Sequence, residues 1–334
     1  MVRELQSPQV LTSPEVLTMG RSGVDIYPLQ TGVGLESVRT FGKFLGGSPT
    51  NVAVAAAKMG HTAAVVTGVG ADPFGKFVRD EMHRLRVSDQ YVITTNTYKT
   101  PVTFCEIFPP DNFPLYFYRE PSAPDLQLRP EDVPELAVKA AKVFLVSGTG
   151  LSNEPSRSAH YFALKARKNQ PGWTIADLDY RPMFWDREET AAREIGALLE
   201  YVNVAVGNRE ECRIAVGESN PDRAADALLE RGVKLAIVKQ GPKGTLAKTR
   251  EQRIEVPVTK VKTINGLGAG DSFAGALCHG LISGWEIPKI IHFASTAGAI
   301  VCSRLECSTA MAAESEVFDL MQHHPETEPK VSQL

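Results

Sequence analysis

The chain has 334 residues, 43% of them hydrophobic and 22% charged, a balance that suits a globular protein large enough to bury its core without staples. Its 36 basic and 39 acidic residues leave a formal charge of -3, so no basic excess gathers on phosphates and nucleic acid is excluded as an expected partner. No run of about 18 apolar residues occurs, which excludes an expected membrane span, and five scattered cysteines without a CxxC pair argue against a disulfide scaffold or zinc site and for a reducing, cytoplasmic setting.

Residues 1–14 are polar, carry two prolines and lack the apolar stretch of a signal peptide, and are expected as a flexible tail. A short strand over 16–19 enters the turn Gly20-Arg21-Ser22-Gly23, with Asp25 just beyond. Residues 31–44 loosen toward alternation at Val33, Leu35 and Val38 and read as strand material outside the main rhythm. Val52, Ala53, Ala56 and Met59 repeat at helical spacing over 49–60. An apolar strand at 63–70 and an amphipathic helix at 74–85 follow, and segments 102–107 and 115–118 form a hairpin around Pro109-Pro110-Asp111-Asn112.

After Pro130, strands at 143–146, 174–177, 202–206 and 235–239 alternate with helices at 156–169, 190–201 and 221–231. That alternation predicts βαβ units, hence an α/β fold: a doubly wound, mostly parallel sheet with helices on both faces. Such a sheet gathers its strand ends and following loops at one crevice. Asp177 and Asp179, Asn208 and Glu211, and Lys239 and Gln240 fall at those ends. The last residues, 323–334, are polar and expected to fray.

The strongest local signal is Asn265-Gly266-Leu267-Gly268-Ala269-Gly270-Asp271, followed by an apolar helix start. Alternate glycines let backbone approach a ligand, and a helix N-terminus offers unpaired N–H groups to phosphate. Asp271 there could accept a proton from an attacking hydroxyl. The same residues would equally make a tight turn with Asp271 as a helix cap. The segment is not a Walker A loop, because the Gly-Lys-Ser/Thr ending is missing, nor a dinucleotide fingerprint. A second segment, Gly46-Gly47-Ser48-Pro49-Thr50-Asn51, offers close backbone approach and an Asn that both donates and accepts hydrogen bonds; alone it reads as a glycine turn before a helix.

Together the segments resemble the ribokinase-like, or PfkB, carbohydrate kinase family. Gly46, Gly47, Pro49, Asn51, Ala53, Gly60 and Gly70 match its first signature, and Gly268, Ala269, Gly270 and Asp271 its second; Gly266 departs where the family has Thr or Ser. The resemblance covers roughly residues 16–312. It implies a kinase domain over 15–322 with lid strands from about 31–44 and 100–119, and ATP and Mg2+ as cofactors, with a monovalent cation such as K+ near the loop. It implies amides of Gly268, Ala269 and Gly270 around the moving phosphoryl group and Asp271 as base. Asp25, Gly46, Gly47 and Asn51 would contact sugar. Asn208 and Glu211 would organise the nucleotide and, indirectly, its metal, although the same pair could be a capping box. Lys239, Gly241, Gly244 and Ser295, the last standing where many members have Asn, would line the nucleotide site. Lid strands of such kinases pair between subunits, so a homodimer is expected.

Two arginines bear on the substrate, since guanidinium groups hold carboxylates through paired hydrogen bonds. Arg119 lies among aromatics in Tyr116-Phe117-Tyr118-Arg119, and Arg181 follows a strand end in Asp177-Leu178-Asp179-Tyr180-Arg181-Pro182. Either alone could be a solvated or ion-paired side chain; both, flanked by aromatics at predicted site edges, favour a sugar acid. The Asp-Tyr-Arg-Pro-x-x-Trp, Gly-Asn-Arg-Glu-Glu and Ser-Arg-Leu-x-Cys stretches further resemble the 5-dehydro-2-deoxygluconokinases of myo-inositol catabolism, which phosphorylate a 6-hydroxyl. The rivals are 2-keto-3-deoxygluconate kinase, fructokinase and ribokinase and, from another class, a non-catalytic ligand sensor on the same fold. Asp179, where 2-keto-3-deoxygluconate kinases have Asn, favours the inositol-pathway reading.

Overall fold

The computed structural model describes residues 13–334, so all but the last two residues of the expected tail, 1–14, lie outside the described residues. The first strand, β1 (Val16–Met19), is wholly buried and turns at Gly20 into β2 (Gly23–Pro28). Next come β3 (Phe41–Gly46), α1 (Ser48–Lys58), β4 (Ala63–Gly70) and α2 (Pro73–Arg84). The short strands β5 (Val87–Ser88) and β6 (Val92–Thr95) precede the hairpin β7 (Val102–Cys105) and β8 (Leu115–Tyr118). The regular part runs α3 (Glu135–Ala140), β9 (Val143–Ser147), α4 (Ser156–Arg167), β10 (Trp173–Asp177) and α5 (Glu188–Leu198). It continues with β11 (Val204–Asn208), α6 (Arg209–Val216), α7 (Pro221–Glu230) and β12 (Leu235–Lys239). The hairpin β13 (Thr245–Lys248) and β14 (Gln252–Val256) leads to α8 (Ala269–Ile282), α9 (Ile287–Cys302), α10 (Glu314–His323) and β15 (Lys330–Gln333).

The main sheet runs β15-β14-β13-β12-β11-β10-β9-β1-β4-β5, with β6 also paired to β4. From β12 to β6 every pairing is parallel; β13, β14 and β15 close one edge antiparallel. Short, apolar, β-branched strands buried on both faces are what a parallel sheet between two helix layers requires. One layer packs Val16, Val65 and Ile237 beneath α1, α8 and α9; the other packs Leu17, Phe144 and Ala205 against α4 to α7. No helix among the described residues is long and apolar enough to cross a membrane.

Two expectations are corrected. Of residues 31–44, only those from Phe41 onward are strand. Residues 31–40 form a largely exposed loop with a 3-10 turn at Leu35–Ser37, in which Gly32 and Gly34 interrupt the apolar pattern and only Val38 is buried. The lid is a four-stranded sheet, β3-β2-β7-β8, with β2 at its centre. The C-terminus does not fray: Ile254 pairs with Val331, and Leu334 N donates to Glu251 O. Its polar side chains suit an exposed edge strand, whose order comes from backbone bonds that composition does not reveal.

The contact between α1 and α8 positions the site. α1 is rich in Ala and α8 in Ala and Gly, and a side chain at Gly275 would collide with the Ala55 methyl and come within 3.1 Å of the Val52 carbonyl. Asn51 meets Asp271 at one end of the pair, and His61, just past α1, meets His279 at the other. The helices therefore run parallel and present both N-termini to the same place. Gly275→Val is expected to lower stability by about 1–3 kcal/mol through overpacking, read as a lower urea midpoint, with turnover falling further than the stability loss explains.

Candidate functional site

A cavity of about 260 Å³ lies at the C-terminal ends of the parallel strands, under the lid. Its floor is the turn into α8. Asn265 is fully buried; its Nδ2 donates to Leu305 O at 2.7 Å and its Oδ1 accepts from Leu267 N at 3.0 Å. Gly268 then adopts φ +81° as the N-cap, a conformation that glycine reaches without strain. The first helical bond runs from Ser272 N to Gly268 O. The amides of Gly268, Ala269 and Gly270, and that of Asp271, are thus not consumed by the helix and sit at its positive end. Gly266, whose role the sequence left open, lies against the Phe113 ring of the lid hairpin: a Cβ there would stand 2.8 Å from the ring.

Asp271 stands in the first turn of α8 and accepts a hydrogen bond from Asn51 Nδ2 at 2.7 Å. Burial pushes its carboxyl up to about 6, against hydrogen bonding from Asn51 and Ser48 and with the help of Asp177 and Asp179. That bond occupies the amide nitrogen of Asn51 and leaves its buried Oδ1 without a partner among the described residues. Asp25, on β2, is likewise pushed up to about 6 by burial, although Arg21 and Tyr27 pull the other way. The Tyr27 hydroxyl donates to Asp25 Oδ2 at 3.0 Å and lies 2.7 Å from Cys307 Sγ. Gly46 has no side chain because the Asp25 carboxylate occupies that space, and Gly47 because the backbone of Arg21 and Ser22 does.

The strand ends supply the opposite wall. Asp177 ends β10 and is pushed up to about 7, chiefly by burial, with Lys239 opposing and Glu211 and Asp179 adding to the rise. Asp179 is also buried, yet Arg181, Arg21 and the Thr149 hydroxyl outweigh burial and hold it below the ordinary carboxylate range. Arg181 Nε donates to its Oδ1 and Thr149 Oγ1 to its Oδ2, both at 3.0 Å. Asn208 and Glu211 form a complete capping box on α6: Glu211 N donates to Asn208 Oδ1 at 2.9 Å and Asn208 N to Glu211 Oε2 at 2.6 Å. Both residues also line the cavity, so the cap does not withdraw them from it. Lys239 is half-buried, and desolvation disfavours its ammonium, but Asp177, Glu211, Asp271 and Asp179 outweigh that and raise its pKa. Its Nζ would stand 3.1 Å from a Cβ at Gly270.

The cavity thus brings together Asp25, Gly47, Asn51, Asp179, Arg181, Asn208, Glu211, Lys239, Gly268, Gly270 and Asp271, residues drawn from segments far apart in the chain. Other expected residues stand outside it. Gly241 and Gly244 shape the turn between β12 and β13, and Ser295 on α9 donates to Thr245 Oγ1 at 3.2 Å, beside that turn. Arg119 does not reach the cavity. It lines the adjacent cleft beyond β8, pairs with Asp125 at 2.9 Å and stacks 4.6 Å from the Phe184 ring centre. Sequence reasoning missed Arg21, Ser48, Phe117 and Cys307, all of which line the cavity. Only Arg21 had a usable signal, its place in a glycine-bracketed turn at the end of β1.

A glycine-lined helix terminus and a half-buried carboxylate held by an asparagine thus lie together beneath a sheet-borne lid. The pfkB family carbohydrate kinase model matches residues 13–314, and the chain belongs to that family. It is 33% identical over 315 residues to 5-dehydro-2-deoxygluconokinase 1 of Bacillus cereus, covering 92% of this chain and 95% of the relative. It is 32% identical over 312 residues to the 5-dehydro-2-deoxygluconokinase of Shouchella clausii, with the same coverage. Among solved structures it is similar to a putative ribokinase II from E. coli in complex with ATP and Mg2+ (TM-score 0.84, 22% identity, 93% of this chain and 99% of that one). It is also similar to a fructokinase from Vibrio cholerae with fructose, ADP and calcium bound (TM-score 0.81, 24% identity, 92% and 99%).

The raised acids have a consequence for stability. Asp271 titrates near 6 in the folded protein and near 4 when unfolded, so the native state binds more protons across that window. Stability from this group is present at low pH and lost as pH rises from about 4 to about 6. Asp271→Asn is therefore expected to melt a few degrees above the parent at pH 7.5, with the difference shrinking toward pH 4.5, in thermal scans across pH.

Proposed function

We propose that this carbohydrate kinase transfers the γ-phosphoryl group of ATP to the 6-hydroxyl of a sugar acid, 5-dehydro-2-deoxy-D-gluconate. The observation that carries the reading is the company Asp271 keeps: the half-buried carboxylate shares one cavity with two guanidinium groups, those of Arg21 and Arg181. A neutral sugar gives no reason for both. The names carried by the relatives that are about one-third identical support the same substrate.

In this reading Asp271 Oδ1 takes the proton of the attacking hydroxyl while Asn51 Nδ2 steadies Oδ2. The unpartnered Asn51 Oδ1 accepts from a second sugar hydroxyl, and Asp25 binds a third. The amides of Gly268, Ala269 and Gly270 receive the charge on the moving group, and Lys239 beside Gly270 adds a cation. The adenine side lies along Gly241, Gly244 and Ser295. No group of three His, Cys, Asp or Glu side chains suited to a metal occurs among the described residues. Mg2+ needs no such cage, because it is held by one or two carboxylates together with waters and phosphate oxygens. Asp177 and Glu211 fit that limited donor set and would hold the ion, Asn208 N engaging only one of the Glu211 oxygens. When bound, the ion neutralises phosphate charge. The lid excludes water and so protects ATP from hydrolysis.

The proposal extends to a homodimer formed through the lid sheet, whose Phe41, Tyr116 and Tyr118 are exposed, and to activation by K+ near the glycine loop. Two measurements test its centre. Across a panel of hexoses and hexonates, 5-dehydro-2-deoxygluconate is expected to show the highest kcat/KM with ATP; a neutral hexose in first place overturns the substrate. Asp271→Asn is expected to bind ATP normally and lose about 10²–10⁴-fold in kcat. In the parent, kcat/KM should fall as pH drops through about 6, where Asp271 takes up its proton.

A further inference from the structure

We propose that Arg21 is the specificity-determining residue of this site, the group that receives the carboxylate of the substrate. The assignment rests on the sugar-acid reading above and names the residue responsible for it.

Arg21 lies in the turn after β1, and its backbone is clamped in two ways. Gly47 packs directly on its carbonyl, and Thr50 Oγ1 donates to that carbonyl at 3.3 Å. Thr50 immediately precedes Asn51, so the guanidinium is placed with respect to the Asn51–Asp271 pair by neighbouring residues of one helix turn. The side chain enters the cavity, with its Cζ 5.2 Å from the centre of the Phe117 ring on β8. Phe117 meets Phe184 edge-on at 4.8 Å, and Arg119 stacks on Phe184. Two arginines thus cap a pair of lid and strand-end aromatics.

Their surroundings differ. Arg119 has its counter-ion in Asp125 at 2.9 Å, and Arg181 has Asp179 at 3.0 Å. Arg21 acts on Asp25 and Asp179 only from beyond ion-pair distance: it has no carboxylate within 4.0 Å among the described residues, and its buried Nε has no hydrogen-bond partner. A planar, permanently charged fork, partly desolvated and stacked on an aromatic face, lacks the bidentate acceptor its geometry suits. A substrate carboxylate supplies that acceptor, whereas a neutral hydroxyl does not answer the charge. Because Phe117 belongs to the lid hairpin, the lid sets the orientation of the fork.

The test is the ratio of kcat/KM for a hexonate to that for its C1-neutral analogue, measured for the parent, Arg21→Gln, Arg21→Lys and Arg119→Gln, with melting temperatures alongside. For Arg21→Gln this ratio is expected to fall roughly 10–100-fold, mainly through the KM for the acid, with the KM for ATP little changed. Arg21→Lys keeps the charge without the fork and is expected to fall between the two, which keeps the test decisive if the glutamine variant folds poorly. Equal losses on acid and neutral substrates in both Arg21 variants would mean a structural role only, and overturn the assignment. An acid-selective loss in Arg119→Gln with none at Arg21 transfers the role to Arg119. A parent enzyme that prefers neutral hexoses sinks the sugar-acid reading itself, and this assignment with it; that result is visible before any variant is compared.

Discussion

The hydrogen bond from Asn51 to Asp271 joins residues 220 positions apart and sits where two helices begin. It exists because α1 and α8 lie side by side in the same direction, and they can do so because small residues line their contact, with Gly275 against Ala55. Two helix N-termini then point at one spot. Each contributes unpaired amides and a partial positive charge. The glycine loop before α8 and the Gly46-Gly47 turn before α1 are entries to the same place, and both need glycine for the same reason, close approach of neighbouring groups. A shift of either helix would separate the carboxylate from its asparagine and spread the amides apart. The rest of the site is organised around that contact.

Charge is the second constraint. Asp25, Asp177, Asp179, Glu211 and Asp271 share the cavity with Arg21, Arg181 and Lys239. Burial raises three of the acids toward neutrality, while Asp179 is kept ionised chiefly by its ion pair with Arg181. Acids of one type thereby serve different ends: one group poised to exchange a proton near neutral pH, another a permanent anchor for a guanidinium. The cost is a native state that becomes less stable as these acids ionise, a usual feature of a site that tunes carboxylates upward. Phosphoryl transfer rewards such an arrangement because it depends on positioning and charge more than on covalent chemistry.

The lid shows how far periodicity carries. Residues 102–105 and 115–118 alternate clearly and form the hairpin expected of them. Residues 31–40 carry a weaker alternation broken by glycines and form a loop. β2, only six residues long and continuous with a core strand in sequence, becomes the central lid strand. Its membership depends on pairing with β3 and β7, which are non-local choices. The C-terminal strand was hidden for a similar reason: an edge strand with every side chain exposed has no apolar pattern to detect.

By itself, the sequence determined the doubly wound class, since short buried strands alternating with amphipathic helices admit few other arrangements. It also determined the chemistry available at the glycine loop, because Gly268, Gly270 and Asp271 act through backbone freedom and a local helix start that their own neighbours specify. Asn208 and Glu211 were legible as a capping box on the same local grounds. The tertiary structure alone decided which distant groups meet. It set Asn51 on Asp271, gave Gly266 its purpose beneath Phe113 and drew Arg119 away to Asp125. It also left Arg21, an unremarked turn residue in the linear chain, as the cavity's guanidinium without a carboxylate of its own among the described residues. Local structure follows from near neighbours in the chain, whereas the partner of a buried charge is chosen by the packing of elements that the chain keeps far apart.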